Sequence, residues 1–209
     1  MKLYDCATAP SPRRVRIFVA EKGLEVPRVE VDLRGGEHLR EPFRDLNPHC
    51  TVPVLEIEGS ALCSTAAIWR YIEEIYPAPP LLGRTALEKA RIADLQWRIE
   101  SEGFGAVAEW LRNVAPGMKD RALTGPVDYA QIPQLAERGR KRAERFLHWL
   151  ETQAASAAPY LCGEQYSVAD IDALVCIDFA RRLHLELPPE AEATRRWYAL
   201  VASRPSAHA

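Results

Sequence analysis

The chain has 209 residues, of which 47% are hydrophobic and 27% are charged, as in ordinary globular proteins. Its 27 basic and 29 acidic residues nearly cancel, so the composition predicts no polybasic surface for nucleic acid or for a membrane. We find neither a signal-peptide pattern nor an uncharged apolar run of about 18 residues. We therefore expect a cytoplasmic protein without membrane-spanning helices.

The five cysteines are widely spaced and form no C-x-x-C pair. The spacing therefore predicts neither a zinc site nor a dithiol redox motif, and we expect no metal cofactor. Each cysteine is expected to be a small, partly buried hydrophobic residue.

Strand and helix patterns alternate along the first 76 residues. Strands are predicted at 2–5, 26–33, 52–57 and 61–62, a helix that ends at Lys22, a short helix or irregular turn at 38–45, and a helix at 65–76. This order, β-α-β-α-β-β-α, fits an α/β domain of the thioredoxin-like type.

A proline-rich stretch at 77–83 marks a natural domain boundary. We predict domains at 1–77 and 87–209, joined by a linker at 78–86. The second domain is predicted to be all-helical. The first expected helix has an apolar stripe over 92–114, and Gly103 and Gly105 are expected to bend it. Further helices are expected over 129–155, over 168–183, where the helix should be buried, and around Trp197.

Pro53 lies within a strand pattern, directly after Val52. Proline donates no hydrogen bond to a strand ladder, so it belongs at a strand edge or a strand start. An X-Pro bond adopts the cis form at modest cost, and a cis bond here would turn the N–H and C=O of Val52 outward. These groups would then pair with an extended peptide ligand. An ordinary edge-strand proline is the alternative, and this motif alone does not decide between the two.

The hydroxyls of Ser64 and Thr65 lie at a predicted helix start, directly after a strand. A helix start offers free N–H groups and the positive end of the helix dipole, so it favours a carboxylate. Simple N-capping explains the same residues, and one residue can serve both purposes.

Three segments, in this order and spacing, resemble the cytosolic glutathione S-transferase family, and in particular its bacterial, theta-like members. They are the segment at 36–55, the strand-to-helix run at 62–77, and the run at 166–170 that begins a buried helix with the capping pair Ser167 and Asp170. The resemblance spans essentially the whole chain. It implies an α/β thioredoxin-like N-terminal domain, an all-α helical-bundle C-terminal domain, and a homodimer. It also implies a transferase that uses glutathione as co-substrate against a hydrophobic electrophile.

The same resemblance assigns roles in glutathione binding. Val52, followed by Pro53, is expected to bind the cysteinyl backbone, and Thr65 the γ-glutamyl carboxylate. His38 is expected near the glycine carboxylate, although a solvated surface histidine explains it equally well. Thr51 is expected to line the same cleft.

The chain departs from the family at the helix start. The family usually has Glu-Ser where this chain has Ser64-Thr65. A serine keeps a hydrogen bond to the γ-glutamyl ammonium but loses the charge assistance, which is about 1 kcal/mol. Weak glutathione affinity or a modified ligand is therefore an alternative.

Activation of a thiol requires a lower thiol pKa, because only the thiolate attacks and free thiols titrate near ~8.5. A hydroxyl at the start of the first helix achieves this by hydrogen bonding to the thiolate. By resemblance, the usual serine of the theta- and phi-like classes falls on Ala9, which has no hydroxyl. We therefore predict Ser11 as the catalytic residue and Thr8 as the second candidate. Helix capping ahead of Pro12 is the alternative role of Ser11.

Three arginines, Arg13, Arg14 and Arg16, follow in the same helix. They would add positive potential near a thiolate, but we expect at least two of them to lie on a solvated face.

Two other interpretations keep the fold. Cys50 or Cys6 would form a mixed disulfide with glutathione, which favours a glutathione-dependent disulfide reductase or peroxidase. Alternatively, Ser64 and Ala9 mark a protein that binds ligands without catalysis. The electrophile is expected along the first long helix of the second domain, where the candidates can equally be core residues. These candidates are Phe104, Val107, Ala108, Leu111 and Met118.

Overall fold

The computed structural model describes residues 1–156 and 159–209. The chain divides into two compact units. The first contains residues 1–79, 124–128 and 209, and the second contains residues 80–123 and 129–208.

A four-stranded mixed sheet forms the centre of the first unit. Its strands are β1 (Lys2–Asp5), β2 (Arg28–Glu30), β3 (Val54–Ile57) and β4 (Ser60–Leu62), in the order β2-β1-β3-β4. β1 is parallel to β2 and antiparallel to β3, and β3 is antiparallel to β4. The parallel pair needs a crossover connection, which is helix α1 (Pro10–Glu21).

Two further helices complete this unit, α2 (Phe43–Leu46) and α3 (Thr65–Ile75). α1 packs against α3, where the rings of Phe18 and Trp69 stack with centroids 5.8 Å apart. A separate apolar cluster is formed by Val31, Phe43 and Val54. The arrangement is the thioredoxin-like α/β architecture that the sequence predicted.

The second strand is shorter than the predicted 26–33. The strand contains only Arg28–Glu30, and all three residues are exposed. It is an outer strand of the sheet, with a neighbour on one side only. Pro27 precedes them and has no N–H to donate. After Val31 the chain turns, because the carboxylate of Asp32 accepts a hydrogen bond from the N–H of Gly35 at 2.7 Å.

Segment 38–45 contains both kinds of structure that the sequence left open. A 3₁₀ turn covers Glu37–Leu39, and the short helix α2 follows. A cis peptide bond between Glu41 and Pro42 lies between them.

The second unit is helical, as predicted. Its helices are α4 (Ala86–Arg98), α5 (Gly105–Val114), α6 (Pro133–Ser156), α7 (Val168–Arg181) and α8 (Glu192–Ala202). The predicted stripe over 92–114 is divided into α4 and α5 by a π-helical turn, Ile99–Phe104. Gly103 lies in that turn, and a Cβ there would approach the Cys176 sulfur and the Phe146 ring to 2.8 Å. Close packing thus explains the glycine.

The predicted helix start at residue 129 is wrong. α6 begins at Pro133, since a residue that precedes proline is disfavoured in the helical region and proline is favoured as the first helical residue. The N–H of Ile132 instead donates to Oδ1 of Asn113 at 2.9 Å.

α7 is the buried helix that the sequence predicted. Almost all of its residues are buried, and Asp178 and Arg181 are the exceptions. It ends at Arg181, two residues earlier than expected. Across the described ranges, we find no helix that is long and apolar enough to cross a membrane.

Candidate functional site

The strand register brings the predicted glutathione-binding segments to one edge of the sheet. Tyr4 pairs with Val54, and Leu55 pairs with Leu62. β1 therefore ends where β3 begins and where β4 ends. The three segments that continue beyond these strand ends are 6–11, 52–53 and 63–65. Because β2 is parallel to β1, the segment that carries His38 leaves the sheet at the same edge.

The main chain of Val52 has no partner among the residues that the structure describes. No N–H or C=O of that range forms a hydrogen bond with the Val52 backbone. The side chain of Val52 packs against the cluster of Val31, Phe43 and Val54, and the Val52–Pro53 peptide bond is cis. Val52 is a half-buried residue, and backbone groups away from water are usually paired, so Val52 offers one donor and one acceptor to a ligand.

Asn47 organises the turn before Val52, a role that the sequence analysis missed. It is fully buried, and its Nδ2 donates to the carbonyl oxygen and to the hydroxyl of Thr51 at 2.8 and 3.2 Å. Its Oδ1 accepts from the N–H of His49 at 3.0 Å. Asparagine commonly hydrogen-bonds to nearby backbone in turns, and the Asn47-Pro48 pair is the signal that would have found it.

The start of α3 has a side-chain cap and, over the ranges that the structure describes, also has free N–H groups, the two alternatives considered for Ser64 and Thr65. Ser64 caps the helix, because its hydroxyl oxygen accepts from the N–H of Ala67 at 3.2 Å. Thr65 is buried. Within the described part of the chain, the N–H groups of Thr65 and Ala66 have no acceptor. Capping therefore leaves two donors of the first turn available for an anion.

His38 lies in the 3₁₀ turn and is half-buried. Both the main-chain N–H and the side-chain carboxylate of Asp32 form hydrogen bonds that stabilise this turn. The N–H of Asp32 donates to the Glu37 carboxylate at 2.6 Å, and its own carboxylate accepts from Gly35. The histidine is thus fixed in a turn that leaves the same sheet edge, and its role near a glycine carboxylate stays a prediction.

α1 begins one residue before Ser11, so helix capping by Ser11 is wrong. The capping position is Ala9, which forms no side-chain hydrogen bond. Ser11 is half-buried in the first turn, and its Oγ accepts from Nη2 of Arg14 at 3.1 Å. Thr8 is exposed, and its hydroxyl oxygen lies 3.5 Å from the sulfur of Cys6.

The expectation that at least two of the three arginines are solvated is also wrong. Arg14 is 5% exposed and Arg16 is 8% exposed. Arg16 pairs with the buried carboxylate of Asp5 at 2.5 Å and donates to the carbonyl of Ala7 at 3.3 Å. The Glu30 carboxylate accepts from the N–H of Ala7 at 3.0 and 3.2 Å. Arg16 and Glu30 therefore both hold Ala7, at the start of the segment that contains the two candidate hydroxyls.

The candidates for contact with an electrophile lie in the second unit and differ in exposure. Phe104 and Val107 are buried, and the Phe104 ring lies 6.3 Å from that of Phe179. Ala108, Leu111 and Met118 are half-buried. Only these last three present appreciable apolar surface.

None of the five cysteines forms a disulfide. Cys6 and Cys50 are buried, and the sulfur of Cys50 lies 3.6 Å from the carbonyl of Pro48. Within residues 1–156 and 159–209, no group of three or more His, Cys, Asp or Glu residues is arranged to hold a metal ion.

The sequence matches two domain families, described as glutathione S-transferase, N-terminal domain, over residues 3–80, and glutathione S-transferase, C-terminal domain, over residues 133–200. Glutathione S-transferase 2 from Saccharomyces cerevisiae is 35% identical over 210 residues, which are 99% of this chain and 87% of the yeast protein. The chain belongs to the glutathione S-transferase family.

Further comparisons agree with this membership. The crystal structure of a glutathione S-transferase domain-containing protein from Marinobacter aquaeolei superimposes with a TM-score of 0.90 at 35% identity and covers 99% of both chains. A maleylacetoacetate isomerase from Pseudomonas aeruginosa is 44% identical over 94 residues, which are 44% of each chain. Within the family, the chain thus resembles proteins named as transferases and proteins named as isomerases.

Proposed function

We propose that this chain binds glutathione at the sheet edge and activates the glutathione thiol for attack on a hydrophobic electrophile. One observation supports this most directly. Three features follow strand ends at the same edge of the sheet. They are the first turn of α1 and, judged within the described residues, the unpartnered main chain of Val52 and the open N–H groups at the start of α3. An extended tripeptide has matching groups, namely a backbone donor and acceptor, a terminal carboxylate and a thiol.

Glutathione would bind in an extended conformation. The Val52 main chain would pair with its cysteinyl residue as an added strand. The γ-glutamyl carboxylate would accept from the first turn of α3, beside Thr65, because a helix start favours an anion. His38 and Thr51 would lie toward the glycine end. Ser64 supplies no charge for the γ-glutamyl ammonium, so we expect weaker affinity than a glutamate would give.

Ser11 would stabilise the thiolate. When glutathione loses its thiol proton, a hydroxyl that donates to the sulfur favours the charged form and so lowers the thiol pKa. The thiolate then attacks the electrophile, which Ala108, Leu111 and Met118 of the second unit would contact. Thr8 is the weaker candidate, since its hydroxyl lies against Cys6.

Two measurements test this proposal. Titration calorimetry should give micromolar binding of glutathione. With an electron-poor aryl chloride, the thiolate should form a C–S bond as the C–Cl bond breaks, and the chloride released measures the rate of conjugation. Ser11→Ala should lower kcat/KM by about two orders of magnitude, as removal of a preorganised hydrogen-bond donor does. Thr8→Ala is the matched control and should change kcat/KM little. An unchanged rate in Ser11→Ala would reject the assignment of Ser11, whereas absent glutathione binding would favour a non-catalytic ligand-binding protein.

A second candidate is glutathione-dependent isomerisation. Relatives named maleylacetoacetate isomerase favour it, including the mouse protein at 28% identity over 90% of this chain. The same thiolate would add to a conjugated cis double bond, allow rotation, and leave again with glutathione regenerated. Turnover of a cis-enedione acid without consumption of glutathione would support this candidate over conjugation.

The disulfide-exchange interpretation has less support. Cys50 is 2% exposed, and a mixed disulfide requires an accessible sulfur. We also propose a homodimer located in the cytoplasm, which rests on the family resemblance. Sedimentation equilibrium would test the dimer.

A further inference from the structure

Arg14 contacts the proposed catalytic hydroxyl from within the protein. It lies one helical turn after Ser11 in α1 and is 5% exposed. Its Nη2 is 3.1 Å from Oγ of Ser11. Arginine is rarely buried without specific partners, so this contact needs an explanation beyond a solvated basic face.

The chemistry of the two groups fixes the direction of this hydrogen bond. A guanidinium has five N–H donors and no acceptor, whereas a serine hydroxyl has one donor and two acceptor lone pairs. Ser11 must therefore be the acceptor. Its own hydroxyl hydrogen cannot point toward Arg14 and has to be donated elsewhere.

Main-chain carbonyls just before Ser11 are the competing acceptors, and several already have donors. The Ala7 carbonyl accepts from Arg16 at 3.3 Å. The Ala9 carbonyl accepts from the N–H of Arg13 at 3.4 Å, and that of Cys6 accepts from the N–H of Ala9 at 2.9 Å. These contacts make it more favourable for the Ser11 hydroxyl to donate to a ligand at the sheet edge.

We propose that Arg14 is a positioning residue that makes Ser11 a donor toward the thiolate. It occupies a lone pair of Oγ, directs the hydroxyl hydrogen toward the glutathione sulfur, and polarises the O–H bond by a charge-assisted hydrogen bond. This inference rests on the function proposed above, because it assumes that Ser11 faces the sulfur.

Other charges around α1 have partners of their own. Arg16 pairs with Asp5, which also lies 3.9 Å from Arg28 of β2. Glu30 of β2 accepts from Ala7. At the far end of α1, Lys22 pairs with Glu73 of α3 at 2.6 Å. Arg13 is half-buried on the same helix. Among the contacts described for these arginines, the one with the Ser11 hydroxyl is made by Arg14.

Two substitutions separate this role from a general effect of charge. Arg14→Lys keeps a group that only donates. Arg14→Gln keeps a donor but adds a carbonyl, which can capture the Ser11 hydroxyl hydrogen. Each is made in the wild-type chain and in the Ser11→Ala chain. The readouts are the dissociation constant of glutathione by calorimetry and the pKa of the bound thiol, followed by the ultraviolet absorbance of the thiolate against pH.

We expect Arg14→Gln to raise the pKa of the bound thiol by about one unit, or about tenfold less thiolate at fixed pH. Arg14→Lys should stay close to the wild-type value. In the Ser11→Ala chain both substitutions should have little further effect. The glutathione dissociation constant and the thermal unfolding midpoint should change little throughout, since the role concerns the sulfur.

Three outcomes would overturn the proposal. An unchanged thiol pKa of bound glutathione in Arg14→Gln would show that the hydroxyl does not depend on Arg14. An equal shift with and without the Ser11 hydroxyl would show that Arg14 acts through its charge alone. Absence of glutathione binding to the wild-type chain would reject the underlying function, and calorimetry detects that before any variant is made.

Discussion

Asp170 shows how a single carboxylate can organise the start of a buried helix. It is completely buried, and it accepts hydrogen bonds from the N–H of Leu161 and from the N–H of Ser167, at 2.9 and 3.0 Å. It also accepts from the Ser167 hydroxyl at 3.1 Å and from the indole N–H of Trp197 at 2.9 Å. Four donors offset the cost of burying the group. The sequence predicted the capping pair, but not the tryptophan.

Glu109 provides a test of residue-scale electrostatics between α5 and α6. Hydrogen bonds from Arg138, and then from Arg142, hold the pKa of this carboxyl below its usual value of 4.5. Because the pKa is lower in the folded state, the pair contributes stability above that value and loses it as pH falls through the folded-state pKa. Glu109→Gln should lower the free energy of unfolding at neutral pH by about 1 kcal/mol, and the loss should vanish in acid.

The control for this prediction is the pair of Glu137 and Lys141 on α6. Their charged atoms are 2.7 Å apart, but the side chains are 67% and 70% exposed. Solvent screens such pairs, so Glu137→Gln should leave the free energy of unfolding unchanged in urea titrations. If Glu109→Gln shows the same acid dependence as the wild type, the arginines do not perturb Glu109 in solution.

At the scale of elements, two glycines determine how closely the helices of the second unit pack. A Cβ at Gly103 would meet side-chain atoms, the Cys176 sulfur and the Phe146 ring, at 2.8 Å. A Cβ at Gly139 would meet backbone, the amide nitrogen of Trp110 at 2.6 Å and the carbonyl of Ala106 at 2.8 Å. Side chains can move aside, whereas helix backbones cannot without separating α5 from α6.

We therefore expect Gly139→Ala to be more destabilising than Gly103→Ala. Alanine normally stabilises a helix interior by about 1 kcal/mol relative to glycine, but overpacking should reverse the sign. We expect losses of about 3 kcal/mol at Gly139 and about 1 kcal/mol at Gly103. Thermal unfolding measures both. Gly117→Ala is the neutral control, because in the described part of the chain no atom beyond its two sequence neighbours lies within 4 Å of the added Cβ. Equal effects at all three glycines would contradict the argument.

At the scale of the whole molecule, the architecture could be predicted because it depends on patterns that survive in the sequence. The alternating strand and helix signals of the first 76 residues and the helical periodicity beyond them correspond to observed elements. The sequence assigned the segments around Val52 and Thr65 to one ligand by family resemblance alone, and it is the strand register of the folded chain that brings them to one edge. These patterns do not encode how deeply a given charged side chain is buried.

The parts that were missed concern long-range packing and turns. Arg14 and Arg16 lie on a helix whose charge pattern indicated a solvated face, but their partners are Ser11 in the same helix and Asp5 in a strand. The role of Asn47 depends on a turn that closes on Thr51. Hydrogen bonds of this kind depend on the folded backbone, so composition and periodicity do not reveal them.

The accessibility of the five thiols tests the fold and the position of the ligand together. Cys6, Cys50 and Cys176 are buried, and Cys63 and Cys162 are half-buried. Burial raises the pKa of the Cys63 thiol and raises that of Cys162 to about 12. Alkylation requires the thiolate, so both should react slowly with iodoacetamide in the folded protein, and the other three only on unfolding. Mass spectrometry of peptides gives each rate.

S-methylglutathione should then distinguish the two reactive cysteines. Cys63 packs against the same apolar cluster as Val52 and directly precedes Ser64, so a tripeptide bound at the sheet edge should cover it and slow its alkylation several-fold. Cys162 lies in the second unit and serves as the internal control. The methyl group prevents thiol exchange, so slower alkylation reports binding alone. Equal rates for Cys63 with and without saturating ligand would place the ligand elsewhere, and equal slowing of both cysteines would indicate a global change in stability.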